Sequence, residues 1–379
     1  MSQGAGFSSK TAWKREALQS DYGTPSACGA GNQAPLISES LNPDLTKEPD
    51  TTIRNKAGAG QADVTGKGVQ GGIEIEAVYR GIESIFSSAL GFCNYSGSPA
   101  TIAAGVYKHT VELGENLHAE SWEAGDGVLA NSGLLAGDKK VRRGTLCIDK
   151  AISIWEHASA MIQTITIKGD SKGVRIALDL APYALDRASA VNVSSAAWDI
   201  PGTDWLSILF QDLVLWIGDY STSTALDSSN AIGVNAFEIK LENKLKIERD
   251  SLSGLYIAEP RREAKRIVTG SFAIPRYEND DFLDDLDDQA AKMAMLKFTG
   301  SQIGVTGHYR TLWIWLPMIR FDKVDAPVKG PTLIPVTCTF TAELYGGDDV
   351  PEPAGFPTQA RKELLIQIQN DLATNPMTT

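Results

Sequence analysis

Six aspartates between residues 280 and 288 are the densest set of potential metal ligands in this chain: Asp280, Asp281, Asp284, Asp285, Asp287 and Asp288. Carboxylates are the ligands that calcium and magnesium prefer. However, a calcium loop needs a fixed glycine and a closing glutamate, and here Phe282, Leu283 and Leu286 interrupt the acids at helical spacing. The pattern therefore predicts the solvated face of a short helix, with carboxylates in the first turns where the helix dipole favours them.

The histidines, cysteines and glycine pairs do not form a catalytic pattern either. The four histidines are not at metal-ligand spacing or in a nucleophile motif, and the four cysteines lie far apart. The glycine pairs in GAGNQ and GKGVQGG are not followed by the Lys and Ser or Thr of a phosphate loop. We therefore expect no catalytic residue, no cofactor and no metal, and predict that the protein is not an enzyme.

One alternative from another class is a carbohydrate-binding or hydrolytic β-protein, because the chain has eight tryptophans and many acids. A glycosidase would need two positioned carboxylates in an aromatic cleft. Trp155, Trp313 and Trp315 instead fall in strand patterns that are typical of core positions. The positions of these tryptophans therefore argue against a carbohydrate-binding or hydrolytic protein.

The segment PRREAKR (Pro260 to Arg266) is the one concentrated basic patch. It falls between predicted strands and not on a helix that could enter a DNA groove. We expect it to pair with the acidic helix of a neighbouring subunit, where such ion pairs give register and specificity. The candidate assembly residues of this pairing are Arg261, Arg262, Lys265, Arg266, Asp284, Asp285 and Asp288.

The composition is that of a folded protein of 379 residues, long enough for two or three domains, with a formal net charge of -12. Nucleic-acid binders need clustered Lys and Arg to release counterions, so this charge argues against a surface that grips phosphates. No stretch approaches the length of a membrane helix, and the N-terminus lacks a signal-peptide core. We therefore expect a soluble protein made in a cytoplasm, without membrane contact.

The predicted elements recur as an imperfect internal duplication. Residues Gly71 to Gly91 contain an alternating strand and a short amphipathic helix with Gly91 as its cap, and Gly144 to Gly169 contain a long strand and its return. The second copy occupies Val268 to Met295, with a helix predicted over NDDFLDDLDDQAAKMAMLKF, and Thr311 to Leu344. Repeated β-rich units without catalytic residues favour a building block over an enzyme.

The predicted organisation has four parts. Residues 1–67 are read as an N-terminal arm and loops, 68–235 as a first domain with an inserted connection, and 236–346 as a second domain. Residues 347–379 are read as a linker and a C-terminal helix that docks on a partner through Leu364, Leu365 and Ile368. The arm and the C-terminal helix are candidate contacts between assembled copies.

The order of three short motifs resembles that of a known family. YGTP at Tyr22 to Pro25, SESL at Ser38 to Leu41 and the strand-helix unit at Gly72 to Gly91 are similar to the start of tail tube proteins of long-tailed bacteriophages. LENKLKIERDSL and IVTGSFAIPRYEND are similar to that family's second copy of the fold. Residues 170–235 and those after Gly346 depart from the resemblance.

The resemblance implies a mainly β fold with flanking short α-helices, in which two tandem β-sandwich or half-barrel domains contribute to an oligomeric β-barrel ring. It implies trimeric pseudo-hexameric or hexameric rings, stacked into a hollow tube that conducts phage DNA into the host. The partners would be other copies and the tape measure, terminator and distal tail proteins, in a virion assembled in the host cytoplasm. DNA would pass without sequence-specific binding. The alternative within this class is a tail terminator or minor tail protein.

Overall fold

The computed structural model describes eleven segments of the chain: residues 9–16, 22–29, 31–48, 62–93, 99–113, 143–198, 206–248, 255–328, 333–344, 354–357 and 362–373. Within them, strands dominate and two short helices occur.

The elements up to residue 186 are β1 (Lys10–Arg15), β2 (Gln33–Ala34), β3 (Leu36–Glu39), β4 (Asn42–Glu48), β5 (Asp63–Gln70), β6 (Gly72–Glu76), α1 (Glu83–Leu90), β7 (Gly91–Cys93), β8 (Ala100–Ala103), β9 (Val106–Leu113), β10 (Gly144–Asp149), β11 (Ile154–Asp170), β12 (Gly173–Ala181) and β13 (Ala184–Asp186). The later elements are β14 (Leu213–Asp219), β15 (Ala231–Ile232), β16 (Ala236–Glu242), β17 (Leu245–Lys246), β18 (Arg261–Arg262), β19 (Ile267–Ile274), α2 (Asp281–Asp287), β20 (Lys292–Gln302), β21 (Tyr309–Asp325), β22 (Val336–Ala342) and β23 (Leu365–Asn370).

The centre of the molecule is an antiparallel sheet, called here the eight-strand sheet, with the order β3, β6, β12, β11, β16, β19, β22, β21. Its strands alternate with a period of two, as in β12, where Val174, Ile176 and Leu178 are buried and Arg175 and Asp179 face away from the core. Such alternation arises when one face of a sheet packs on a core and the other stays polar.

Two 17-residue strands, β11 and β21, join this sheet to the flanking strands. The C-terminal part of each lies in the eight-strand sheet, while the N-terminal part of β11 pairs with β10 and β13, and that of β21 pairs with β20 and β23. The core contains apolar side chains from both sets of strands and from α1. Each of these two strands thus pairs with one set of neighbours in its first half and with another set in its second half.

The same pairing scheme occurs twice along the chain. In the first instance β1 pairs with β2 and β10, β10 with β11, β11 with β12 and β13, β12 with β6, and β6 with β3. In the second, β14 pairs with β15 and β20, β20 with β21, β21 with β22 and β23, β22 with β19, and β19 with β16. A separate strand pair follows β3 and β16 as well, namely β4 with β5 and β17 with β18. Strands β7 to β9 occur only in the first set.

The first predicted helix is confirmed and the second is partly wrong. Helix α1 spans Glu83–Leu90 and ends at Gly91, whose φ of 117° places it in the region that favours glycine. Helix α2 ends at Asp287, and the predicted continuation through Met293 and Leu296 is strand β20. The segment KMAMLKF fits both periods, and its pairing with β14 and β21 on both sides selects the strand.

The predicted C-terminal helix is wrong, because residues 365–370 form strand β23. This strand lies between β9 and β21, hydrogen-bonded to both, and all six of its residues are buried. Within it, Ile366 and Ile368 alternate with Gln367 and Gln369, but together with Leu364 and Leu365 the apolar residues also fit a helical period. The short segment therefore fits both periods, and the pairing with β9 and β21 selects the strand.

The reading of residues 1–67 as arm and loops is also wrong for the described part, which contains β1 to β4 and the start of β5. Strand β1 is held by its neighbours: it pairs with β10, and the Glu16 carboxylate beyond it accepts hydrogen bonds from the Thr145 hydroxyl (2.8 Å) and the Ser159 amide (2.7 Å). Arg143 lies 3.0 Å from the same carboxylate. These partners are more than 100 residues away, so local sequence patterns cannot reveal them.

A buried histidine makes the stability of this fold depend on pH. His157 on β11 is fully buried, and neither ring nitrogen has a hydrogen-bond partner among the described residues. Burial and the nearby charge of Lys150 lower the pKa of His157 from 6.5 to about 3. Between these values the unfolded chain binds a proton that the folded chain does not, so the free energy of unfolding falls as pH decreases from 6.5 towards 3.

We expect His157→Leu to remove this acid sensitivity. At pH 4.5 the wild type should have lost about 3 kcal/mol relative to pH 7.5 through this residue, whereas the variant should lose that much less. Urea unfolding at the two pH values measures the difference. His308→Leu is the control, and an equal pH dependence in wild type and H157L would contradict the prediction.

Candidate assembly and channel surfaces

The polar face of the eight-strand sheet, called here the channel face, carries charged and hydroxyl side chains. It lies opposite the buried face, and its residues alternate with core residues on the same strands. Its acidic members are Glu74, Glu76, Asp170, Asp179, Glu238, Glu242 and Asp325, and its basic members are Lys168, Arg175, Lys240, Arg320 and Lys323. Threonine and serine fill many of the remaining positions, among them Thr166, Thr269, Ser271, Thr337, Thr339 and Thr341.

Each base on the channel face is paired with an acid. Lys168 lies 2.8 Å and Arg175 3.9 Å from the Glu74 carboxylate, and Lys240 lies 2.5 Å from Glu242. The hydrogen bond between them raises the pKa of Lys240 and lowers the pKa of Glu242, so both are charged near neutral pH. Because the acids outnumber the bases, the face carries a net negative charge.

Two strand edges of the eight-strand sheet are open within the described residues. Strand β3 pairs on one side only, with β6, and residues 320–325 of β21 pair on one side only, with β22. Open edges present unpaired backbone groups and are templates for pairing with another chain. Ile37 on β3 is 44% exposed at this edge.

The junction between β11 and β16 shows how such edges can meet. Residues Thr164 to Gly169 pair antiparallel with Glu242 to Phe237. This junction joins the last strand of the first four (β3, β6, β12, β11) to the first strand of the second four (β16, β19, β22, β21). The two open edges, β21 and β3, are therefore the last and first strands of the whole set.

The basic residues predicted for assembly do not meet the acidic helix within the chain. Arg261 and Arg262 form β18, Lys265 is exposed in the following loop, and Arg266 pairs with Glu363 at 2.8 Å. On α2, Asp284 and Asp288 are exposed, while Asp285 lies 2.7 Å from Lys292. The predicted pairing between neighbouring copies stays a prediction, and for Arg266 and Asp285 it would have to compete with these contacts inside the chain.

The apolar residues predicted for docking lie in the core of the chain. Leu364, Leu365 and Ile368 are buried, and the latter two belong to β23. They therefore have no accessible surface to offer a partner in this fold. What sequence analysis missed is the channel face, and the alternating segments RIALDLA, FEIKLE and VTCTFTA were the signal that could have revealed it.

Two further findings bear on function. None of the described helices is long and apolar enough to cross a membrane. Within the described segments, no group of three or more His, Cys, Asp or Glu side chains could hold a metal ion.

The comparison with protein families gives one match: the family model described as phage tail tube protein matches residues 6–342. A search of curated proteins finds no match. The matched range includes both instances of the pairing scheme up to β22, and it ends before β23.

Proposed function

Because the chain belongs to the phage tail tube protein family, we propose that its copies assemble into rings that stack into the hollow tail tube, the conduit for phage DNA ejected into the host. Family membership makes the protein a structural component of the virion and supports a role without catalysis. The observation that carries the ring is the pair of open edges at the two ends of a repeated set of strands.

We read the repeated pairing scheme as an internal duplication of one tail tube unit. On this reading the first unit runs from β1 to β13 and the second from β14 to β23, with the boundary between residues 186 and 213. This boundary differs from the predicted one at 235/236, because β14 pairs with β20 and β15 with β14. On this reading, the predicted inserted connection supplies the first strands of the second unit.

The junction between β11 and β16 serves as the template for the contact between copies. If two copies meet through the same antiparallel pairing as β11 and β16, residues 320–325 of β21 lie beside β3 of the next copy. The eight-strand sheet then continues from copy to copy. A closed ring leaves no free edge, which removes the aggregation hazard of an open sheet. With two units in each chain, three copies supply six units, and trimeric pseudo-hexameric rings are therefore our preferred stoichiometry over hexameric ones.

The channel face is the surface that would line the tube. Because the other face of the sheet packs on the core, the polar face is the one that would border the lumen. Its net negative charge would repel DNA phosphates and keep the genome mobile during ejection, without sequence-specific binding. The other partners would be the tape measure, terminator and distal tail proteins, and assembly would take place in the host cytoplasm.

Electron microscopy of the purified protein in negative stain tests this function directly. Long hollow tubes are the expected result. Discrete rings that do not stack would favour the second candidate, a tail terminator or minor tail protein, which the open edges support equally well. Monomers at all concentrations would overturn both.

The placement of the channel face can be tested by labelling. We expect Glu238→Cys to react with a small maleimide in monomers and in tubes, but to react at least tenfold more slowly with a maleimide on a large polymer once tubes form. Glu238 is exposed in the single chain, so assembly alone would cause the change. The four native cysteines are buried and supply little background.

Val214→Cys is the matched control, because Val214 is 41% exposed on β14, outside the eight-strand sheet. It should react with the large reagent equally in monomers and tubes. Equal protection at both positions would contradict the assignment of the channel face.

A further inference from the structure

The two helices occupy corresponding places in the two units, yet they are covered very differently. Seven residues of α1 are buried, and β1 packs on it: the Trp13 indole donates to the Ser88 hydroxyl (3.2 Å), and the Arg15 guanidinium donates to the Ser87 and Gly91 carbonyls (both 3.2 Å). Helix α2 has no buried residue. Helix α2 is therefore less covered than α1 within the described residues.

Beside α2 lies a groove of about 470 Å³, called here the α2 groove. Apolar side chains from several strands and the helix line it: Ile217, Ile232, Ile274, Phe282, Val324 and Val336. Asp281, Asp285 and Lys292 border it. Val324 belongs to the part of β21 whose edge is open, so the groove lies where the next copy would join.

The corresponding place in the first unit is filled by a segment of the chain. Residues 206–212, which directly precede β14, lie along the end of β6 before α1. The Tyr79 amide donates to the Leu206 carbonyl (3.0 Å), the Ile208 amide donates to the Ala77 carbonyl (2.8 Å), and Ile208 is buried. The Phe210 ring stacks on Phe237 of β16, with centroids 6.3 Å apart. The segment that leads into the second unit therefore covers the first.

We propose that the α2 groove binds residues 1–9 of the neighbouring copy in the ring. This inference rests on the proposed function, because it assumes that the second unit contacts the next copy in the same way as the first unit contacts the second. Strand β1 is the counterpart of β14, so the segment that precedes β1 in the next copy is the counterpart of residues 206–212. Phe7 stands three residues before β1 begins, as Phe210 stands three residues before β14.

The charges of the two surfaces are complementary. The first fourteen residues contain Lys10 and Lys14 and no acidic residue. Helix α2 is formed by the segment DFLDDLD, and two of its aspartates border the groove. Opposite potentials of this kind favour the correct partner and orientation. The apolar floor would accept Phe7, and the acidic border would face the basic residues that follow it.

A disulfide trap distinguishes binding between copies from binding within one chain. Chains with Phe7→Cys and chains with Ile232→Cys are purified separately, mixed as monomers, assembled and oxidised. We expect cross-linked dimers from the mixture and none from either variant alone. Ser229→Cys, exposed on the border of the same groove, replaces Ile232→Cys if the latter does not fold.

Ile152→Cys mixed with Phe7→Cys is the control, because Ile152 is 66% exposed and lies in the turn between β10 and β11. Rings or tubes without a cross-link would overturn this inference and leave the proposed function standing. A cross-linked monomer in the double variant, with none in the mixture, would overturn it in favour of binding within one chain. Failure to form any ring would overturn the proposed function and this inference with it.

Discussion

Replacing Ile37 by lysine is expected to abolish tube formation while leaving the folded chain intact. Ile37 lies at the irregular position of β3, between the residues that pair with β6, and is 44% exposed on the open edge. A lysine on an edge strand opposes pairing, because its charge would have to be desolvated against the incoming strand. In the single chain the lysine stays in water, so the free energy of unfolding should change by no more than about 0.5 kcal/mol.

Sedimentation and negative-stain microscopy measure the effect. Wild type should pellet as tubes, and I37K should remain monomeric at the same concentration. Ile152→Lys is the matched control: it makes the same substitution at an exposed isoleucine outside the strand edges, and it should form tubes normally. Tubes of ordinary length from I37K would show that copies do not join through β3.

Replacing Ile368 by alanine is expected to destabilise the chain itself by about 2 to 5 kcal/mol, the usual cost of truncating a fully buried isoleucine. Ile368 is completely buried in β23, opposite Leu312 of β21 and His109 of β9. The cavity would lie in the middle of three paired strands, where the backbone hydrogen bonds restrict relaxation. Urea unfolding of the monomer measures the loss.

Ile102→Ala is the control, because Ile102 on β8 is 43% exposed and should change stability by no more than about 0.5 kcal/mol. Comparing the stabilities of I368A and I102A also distinguishes the observed buried strand from the predicted docking helix. A helix that only contacts a partner would leave the stability of the monomer unchanged and weaken the tubes. That outcome for I368A would contradict the position of β23.

Elements with a strong local period could be predicted from sequence. Helix α1 was predicted because Ile82, Ile85 and Phe86 recur at helical spacing and Gly91 can adopt the positive φ that ends it. The alternating strand predicted in Gly71 to Gly91 is β6, whose residues are alternately buried in the core and partly exposed to solvent. In these segments the spacing of apolar residues in the sequence is enough to predict which side chains are buried.

Elements whose partners are distant in sequence could not be predicted. Strand β23 alternates over only four residues, Ile366 to Gln369, in an apolar segment that also fits a helical period, and its pairing with β9 and β21 on its two sides makes it a strand. Strand β1 is similar, because its place depends on β10, Arg143 and Ser159. The two surfaces that we propose for assembly could not be predicted for the same reason, because the open edges and the polar face can be identified only when the strand order is known.

The sequence by itself determined the family and the mainly β class, because these depend on short motifs and local periodicity. Only the tertiary structure decided which strands pair with each other, which face of the sheet is polar and which edges remain open. The physical reason is that a strand satisfies its backbone through neighbours that can lie anywhere in the chain. Among the charged and apolar residues first selected for assembly, several are used inside the fold, and the surfaces left for partners are the edges and the polar face.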